Sequence, residues 1–399
     1  MKISNRVFGL LFFATSLALL TFTIRADQTP ADHTYLAFVG TYTHDTGSKG
    51  IYAYEFDAAT GKLTPKGLAA ESSNPSWVVI HPNGKWAYAA NESGKQSSIS
   101  AFSIDAKSAK LTLLNKLPAV GEDPCYLSFD KTGKYLFVAN YTSGNVVVFP
   151  ILPDGKLGDH TSAVQDAGAL GPNKERQEGP HSHWVEPAEN NFSVWISDLG
   201  LDRVLRYDFS ASDGRLSTVP WHREFSHRII ERFAKLSPGT GPRHVALSKD
   251  GRYMYVLGEL GSTVSAFHIP ELDGGSAPKS FQAVLALPKG FTGRNDAAEI
   301  ALHPNGKWLF TSNRGHDSIA VFSINRGNGK LKFTGTYPTG GKEPRHFAID
   351  PTGNFLLAEN QNSNSIVVFR INPETGALSQ ASTTEGVPSP VCLVFYPAR

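Results

Sequence analysis

The sequence predicts an all-β chain folded as a seven-bladed β-propeller, and three observations carry the prediction. Six segments repeat one pattern: an apolar strand, a Pro-x-Gly-type turn, a second apolar strand ending in a polar residue, a polar turn and a third strand. The copies recur at roughly 45 to 60 residues, each with several short strands and no helical stretch, which is the signature of a propeller. The two chain ends hold complementary fragments of a seventh copy.

The six copies begin near Pro75 (PSWVVIHPNGKWAYAANESGKQSSISAFSI), Pro124 (PCYLSFDKTGKYLFVANYTSGNVVVFPI), His181 (HSHWVEPAENNFSVWISDLGLDRVLRYDF), Pro242 (PRHVALSKDGRYMYVLGELGSTVSAFHI), Ala298 (AEIALHPNGKWLFTSNRGHDSIAVFSI) and Pro344 (PRHFAIDPTGNFLLAENQNSNSIVVFRI). Residues 35–57 match only the second and third strands of a copy, and residues 388–396 only the first. Pairing these ends makes the seventh blade, closes the ring and removes the open sheet edges that invite aggregation. The repeat runs through the 399-residue chain without a Ser- or Pro-rich linker, so residues 33–397 read as one domain.

Residues 1–26 stand apart from the repeat. Lys2 and Arg6 precede an uncharged stretch from Val7 to Ile24, a secretory signal in character, with Ala26 as the cleavage point. Ile24 occupies a place where a small residue is preferred, and 18 apolar residues also suffice for an uncleaved anchor. Both readings place the propeller outside the cytoplasmic membrane, periplasmic or extracellular, with membrane contact only if the segment is retained. The formal net charge is +2 without a run of Lys or Arg, so nucleic acid is not an expected partner. A monomer is expected. Cys125 and Cys392 fall one residue out of register with a whole blade between them, too far for a disulfide, and are expected as two buried thiols.

Strand direction locates the chemistry. The first two strands of a blade are antiparallel, so the start of the first and the end of the second lie at the same rim of the channel. The starts supply Ser76, Trp77, Cys125, Tyr126, His181, His183, Arg243, His244, Glu299, Arg345 and His346. The ends supply Asn91, Glu92, Asn140, Tyr141, Asp198, Glu259, Asn313, Arg314, Glu359 and Asn360, with Thr41 and His44 from the split blade. Recurrent Asn at a strand end is ordinary turn chemistry. Glu259, Arg314 and Arg243 are long charged groups where that pattern would place turn residues, and buried charges persist only when paired or holding a ligand. A structural Arg–Glu network is the alternative reading of the same three residues.

GTGPRHVALSKDGRYMYVLGELGSTVSAFHI, GPHSHWVEPAEN followed by SDLGLDRVLRYDF, and NDAAEIALHPNGKWLFTSNRGHDSIAVFSI resemble the propeller-type 6-phosphogluconolactonases and the related fungal carboxymuconate lactonizing enzymes. The resemblance extends over residues 35–397 and implies a lactonase. Residue by residue it implies His181, Arg243, Glu259 and Arg314 as catalytic, and the rim positions read from strand direction add His183, His244, Glu299, Asn313, Arg345 and His346 as substrate-binding candidates. The chain departs from the family at WVEPAENNF, where Glu189, Asn190 and Asn191 replace the usual turn, and at Leu-Gly before Glu259.

Opening a lactone needs a base for the attacking water and donors for the oxyanion. His181, or Glu259 with a raised pKa, is the expected base, and Arg243 and Arg314 the expected anion ligands. No Gly-x-Ser-x-Gly elbow supports a covalent serine route. His181 and His183 at i and i+2 could share an ion, but no third ligand is legible, so neither metal nor other cofactor is expected. A small-molecule lactone is the expected partner. A carboxymuconate-type lactonizing enzyme, or a non-catalytic propeller binding protein or glycan at its rim, is the alternative function.

Overall fold

The computed structural model describes residues 33–218, 233–270 and 277–396; the expected export segment at residues 1–26 lies outside them. Seven antiparallel sheets form the blades, six of four strands and one with an added short strand. In chain order blade 1 takes residues 34–71 and 390–395, blade 2 residues 75–118, blade 3 residues 124–165, blade 4 residues 182–217 and 233–235, blade 5 residues 242–268 and 279–285, blade 6 residues 296–338 and blade 7 residues 344–385. The innermost strands touch one another in cyclic order, which closes the ring.

Both faces of a blade pack against a neighbour, so strands read as continuous apolar runs, and the two-residue period of a strand sorts alternate side chains into two layers. Leu136 and Val138 fill the layer toward blade 2, while Phe137 and Ala139 fill that toward blade 4. Leu309 packs toward blade 5 and Phe310 toward blade 7.

The expected closure is present. Pro390–Phe395 is the innermost strand of blade 1 and pairs antiparallel with Thr34–Thr41, matching Ala37 to Phe395, Phe38 to Val394 and Val39 to Leu393. Cys125 and Cys392 are buried free thiols, as expected from their register.

Every innermost strand carries one extra residue near its start. Pairing with the second strand slips between Pro75 and Trp77, Pro124 and Tyr126, Ser182 and Trp184, Pro242 and Val245, Ala297 and Ile300, and Pro344 and His346. In blade 1 the slip falls opposite Gly40 and Thr41, where Val391 is extra. A β-bulge bends its strand and re-aims the side chains beside it. Seven bulges at one height of the ring therefore turn the rim residues toward the channel.

The closing strand should matter as much as any central strand. Leu393 is 4% exposed between blades 1 and 7, so Leu393→Ala should lower unfolding free energy by about 2–5 kcal/mol in urea titration. A loss under about 1 kcal/mol would show a strand that contributes little to ring closure.

Candidate active site

The bulges and the ends of the second strands make one constellation. Bulge residues Cys125, His183 and Arg345, together with Glu92, Tyr141, Glu259 and Arg314 just after or at the second-strand ends, line a cavity of about 380 Å³ at the rim. Tyr42, Asp123, Thr142 and Arg176 complete the wall.

Glu259 is the centre of charge. It is 4% exposed, and three guanidiniums surround it: Arg176 donates from Nη2 to Oε1 at 2.5 Å, while Arg243 Nε and Arg314 Nη2 each lie 3.1 Å from Oε2. Burial alone would raise the pKa of Glu259, but Arg314, Arg243 and Arg176 together hold it well below the usual carboxylate range. The carboxyl is therefore ionised throughout the neutral range. This corrects the expectation that a raised pKa would fit Glu259 to act as a base. Arg243 experiences the converse: burial and the nearby Arg314 and Arg345 lower its pKa to about 10. Its Nη1 donates to the carbonyl of Ala298 in the neighbouring bulge.

Arg345 sits differently. It stacks 5.4 Å from the centre of the Tyr42 ring, and its Nη2 is 3.8 Å from Glu92 Oε1, while Tyr42 donates to Glu92 Oε2 at 2.7 Å. Among the described residues no hydrogen bond uses its guanidinium donors, so they remain available to a ligand.

The two histidines of the His-x-His pair separate. Ser182 pairs with Asp198 as Pro124 pairs with Asn140, so His183 is the bulge residue and His181 precedes the strand. His181 stacks on Tyr141 at 4.6 Å, with Nδ1 on the Tyr141 carbonyl at 3.0 Å and Nε2 3.2 Å from Glu178, and it does not line the cavity. His183 does line it. Burial, and then Arg243 and His244, push its pKa well below the ordinary 6.5, so the ring is neutral. Nδ1 is 3.6 Å from Cys125 Sγ, and Nε2 has no partner among the described residues.

Three expected substrate contacts lie deeper. His244 Nδ1 is 3.0 Å from Glu299 Oε2, and His346 stands 3.5 Å from the same oxygen and 2.7 Å from Glu359 Oε2. With Trp77 and Tyr126, whose rings lie 5.3 and 5.1 Å from that of His244, they plug the channel beneath the cavity. Asn313 is fully buried and donates to the Ala286 carbonyl at 2.9 Å, bracing the strand that leads into its own blade. Thus Glu259, Arg314, Arg345 and His183 line the cavity, Arg243 stands behind Glu259 without lining it, and His181, His244, Glu299, His346 and Asn313 lie around them outside the cavity wall.

Sequence reasoning missed Arg176, Tyr42 and Asp123. Arg176 lies in the connection between residues 165 and 182, which has no counterpart in the other copies. Only the strand-end register could have found Tyr42, directly after Thr41.

The lactonase seven-bladed β-propeller family model matches residues 36–395. A Bacillus subtilis protein named 6-phosphogluconolactonase is 37% identical over 90% of this chain and 98% of its own length. One from Formosa agariphila with the same name is 34% identical over 77% of this chain and 84% of its own. The solved periplasmic gluconolactonase of Pseudomonas aeruginosa superposes with a TM-score of 0.83 at 30% identity, covering 91% of this chain and 99% of that one. With a family match across nearly the whole ring, this chain belongs to the seven-bladed β-propeller lactonases.

Proposed function

We propose that the protein hydrolyses a sugar lactone in the rim cavity, with His183 as base and Arg345 and Arg314 as the groups that hold the developing oxyanion. The observation that carries this reading is the meeting, in one cavity, of a neutral His183 with an unpartnered Nε2 and a half-buried arginine, Arg345, whose donors make no hydrogen bond among the described residues. The relatives named 6-phosphogluconolactonase and periplasmic gluconolactonase support a sugar lactone as substrate.

His183 Nε2 takes a proton from water as its oxygen bonds to the lactone carbonyl carbon. Charge moves onto the carbonyl oxygen, where Arg345 and Arg314 meet it. That negative charge offsets the field of Arg243, which with burial keeps His183 neutral, so the imidazole gains proton affinity as the reaction proceeds. Collapse of the tetrahedral species breaks the bond from acyl carbon to ring oxygen. The imidazolium then protonates the leaving alkoxide, and the product is a hydroxy acid that ionises to its carboxylate. The arginines supply the charge stabilisation that a metal ion would otherwise provide.

Three cations (Arg176, Arg314, Arg345) and three carboxylates (Glu92, Asp123, Glu259) line the wall. A balanced wall suits an uncharged lactone better than one bearing a phosphate dianion. The signal-like segment at residues 1–26 and the periplasmic relative support a place outside the cytoplasmic membrane.

Assay of the purified protein on glucono-δ-lactone and its 6-phosphate should show turnover of both, with the uncharged lactone preferred. His183→Gln should lower kcat by about 10²–10⁴, Arg345→Gln kcat/KM by about 10²–10³, and His181→Gln less than tenfold. A larger loss in His181→Gln than in His183→Gln would transfer the base to His181.

The base must be deprotonated to act, so kcat/KM falls as pH drops through the pKa of His183. Because that pKa is held below 6.5, kcat/KM should be flat from pH 7.5 to 6.5 and fall only below. An acid limb centred at or above 6.5 would remove His183 from the role.

Turnover should also survive chelation by EDTA and dialysis. Activity that vanishes on chelation and returns with Zn²⁺, Ca²⁺ or Mg²⁺ would replace this mechanism with a metal-assisted one.

A further inference from the structure

A second cavity, of about 620 Å³, adjoins the first, and Arg176 walls both. Arg176 spans the boundary: one side of its guanidinium bonds Glu259 at 2.5 Å, and Nη1 is 3.7 Å from Asp296, a residue of the second cavity. The guanidinium is one-third exposed, so it forms a low sill between the two spaces.

Both walls carry charges, Glu175, Arg176, Arg294 and Asp296 on the second, but the second also holds Leu260, Leu285, Leu287 and Phe291, whereas the first has no Leu or Phe among its described residues. Leu285 is 46% exposed, an outward apolar side chain at the end of a strand, and the other three are half-buried around it. Leucine and phenylalanine side chains gathered among polar groups in a concave wall mark a binding surface.

Phe291 is fixed before anything binds. Its ring meets His316 edge-on at 4.8 Å and 82°, and its far edge lies over Gly293, where a Cβ would come within 2.7 Å of Cζ. Glycine at 293 leaves the space in which the ring lies. An aromatic face held in advance loses little conformational freedom on binding. Arg294 is likewise held, by Asp296 at 2.8 Å.

A pyranose ring has two faces of C–H groups and a rim of hydroxyls, so it fits a pocket with an aromatic and aliphatic floor and polar groups at the edge. We propose that the second cavity is a subsite for a second sugar ring, which makes the substrate class the lactone of an oligosaccharide acid, an aldobionolactone. The lactone ring occupies the arginine-lined cavity, and the attached pyranose passes Arg176 to lie on Phe291. The proposal rests on the lactonase reading for its reacting end, and on the second cavity for its length.

Two measurements separate the two. Hydrolysis of cellobiono-δ-lactone and glucono-δ-lactone by the full chain should give a kcat/KM at least tenfold higher for the disaccharide lactone. Calorimetry with cellobionic and gluconic acids reads the subsite without turnover and should show the former at least tenfold tighter. Phe291→Ala and, as an exposed alternative that leaves the core intact, Leu285→Asp should each cut both ratios about tenfold. Turnover of glucono-δ-lactone with no preference for the disaccharide in either measurement overturns the subsite and leaves the lactonase reading standing. Tighter, Phe291-dependent binding of cellobionic acid without turnover of any lactone supports the subsite and overturns the lactonase reading. Ratios that neither substitution moves overturn the assignment of Phe291 and Leu285.

Discussion

A carboxylate can stay ionised out of water only where cations surround it, and the rim of this propeller is organised around that requirement at Glu259. Arg243 comes from its own blade, Arg314 from the next, and Arg176 from the connection that precedes blade 4. Each depends on the others: without Glu259, the buried Arg243 and Arg314 would face each other unneutralised, and removing one partner of such a network costs about 3–5 kcal/mol. The ion cluster therefore joins three parts of the chain distant in sequence. It also leaves Arg345, whose ion-pair partner among the described residues is Glu92 at 3.8 Å, as the cation least committed to the protein itself.

The bulges explain why those charges converge. In an unbroken strand consecutive side chains point to opposite faces, and in this ring both faces are filled by neighbouring blades. One extra residue at the start of each innermost strand breaks the alternation at the rim, and His183 and Arg345 occupy such places. Below the bulge alternation resumes, and the side chains there, Trp77, Tyr126 and His346, close the channel. The same local irregularity, repeated seven times, separates a polar cavity from an aromatic plug.

Much of this was legible in the sequence, because the repeat is a one-dimensional image of the ring. The blade count, the closing strand and the rim as the place where Arg243, Glu259, Arg314 and Arg345 meet all follow from strand order and antiparallel geometry. The choice between His181 and His183 did not. Resemblance pointed to the histidine after Gly-Pro, whereas the bulge counts from Ser182, so His183 faces the cavity and His181 supports Tyr141 from outside. His244, Glu299 and His346 were read as rim groups because a one-residue slip, invisible in sequence, decides whether a position faces the cavity or the plug. Arg176 was beyond reach for another reason: it lies outside the repeat, and nothing local in LGPNKERQEG indicates that its side chain returns to the channel.

The plug has a consequence for chemistry. Trp77, Tyr126, His244 and His346 pack against one another beneath the cavity, so the ground under His183 is protein. Charge–charge effects there are stronger than they would be in an open channel. Burial keeps His183 neutral and Arg243 adds to that effect, and charge appearing on a bound carbonyl oxygen would be felt at the same imidazole. A group whose proton affinity follows the charge of its ligand supplies a base early in hydrolysis and an acid late in it. After burial, the next contribution comes from Arg243, which Glu259 restrains, so the ion cluster that stabilises the rim also bears on the protonation of the residue proposed to act on substrate.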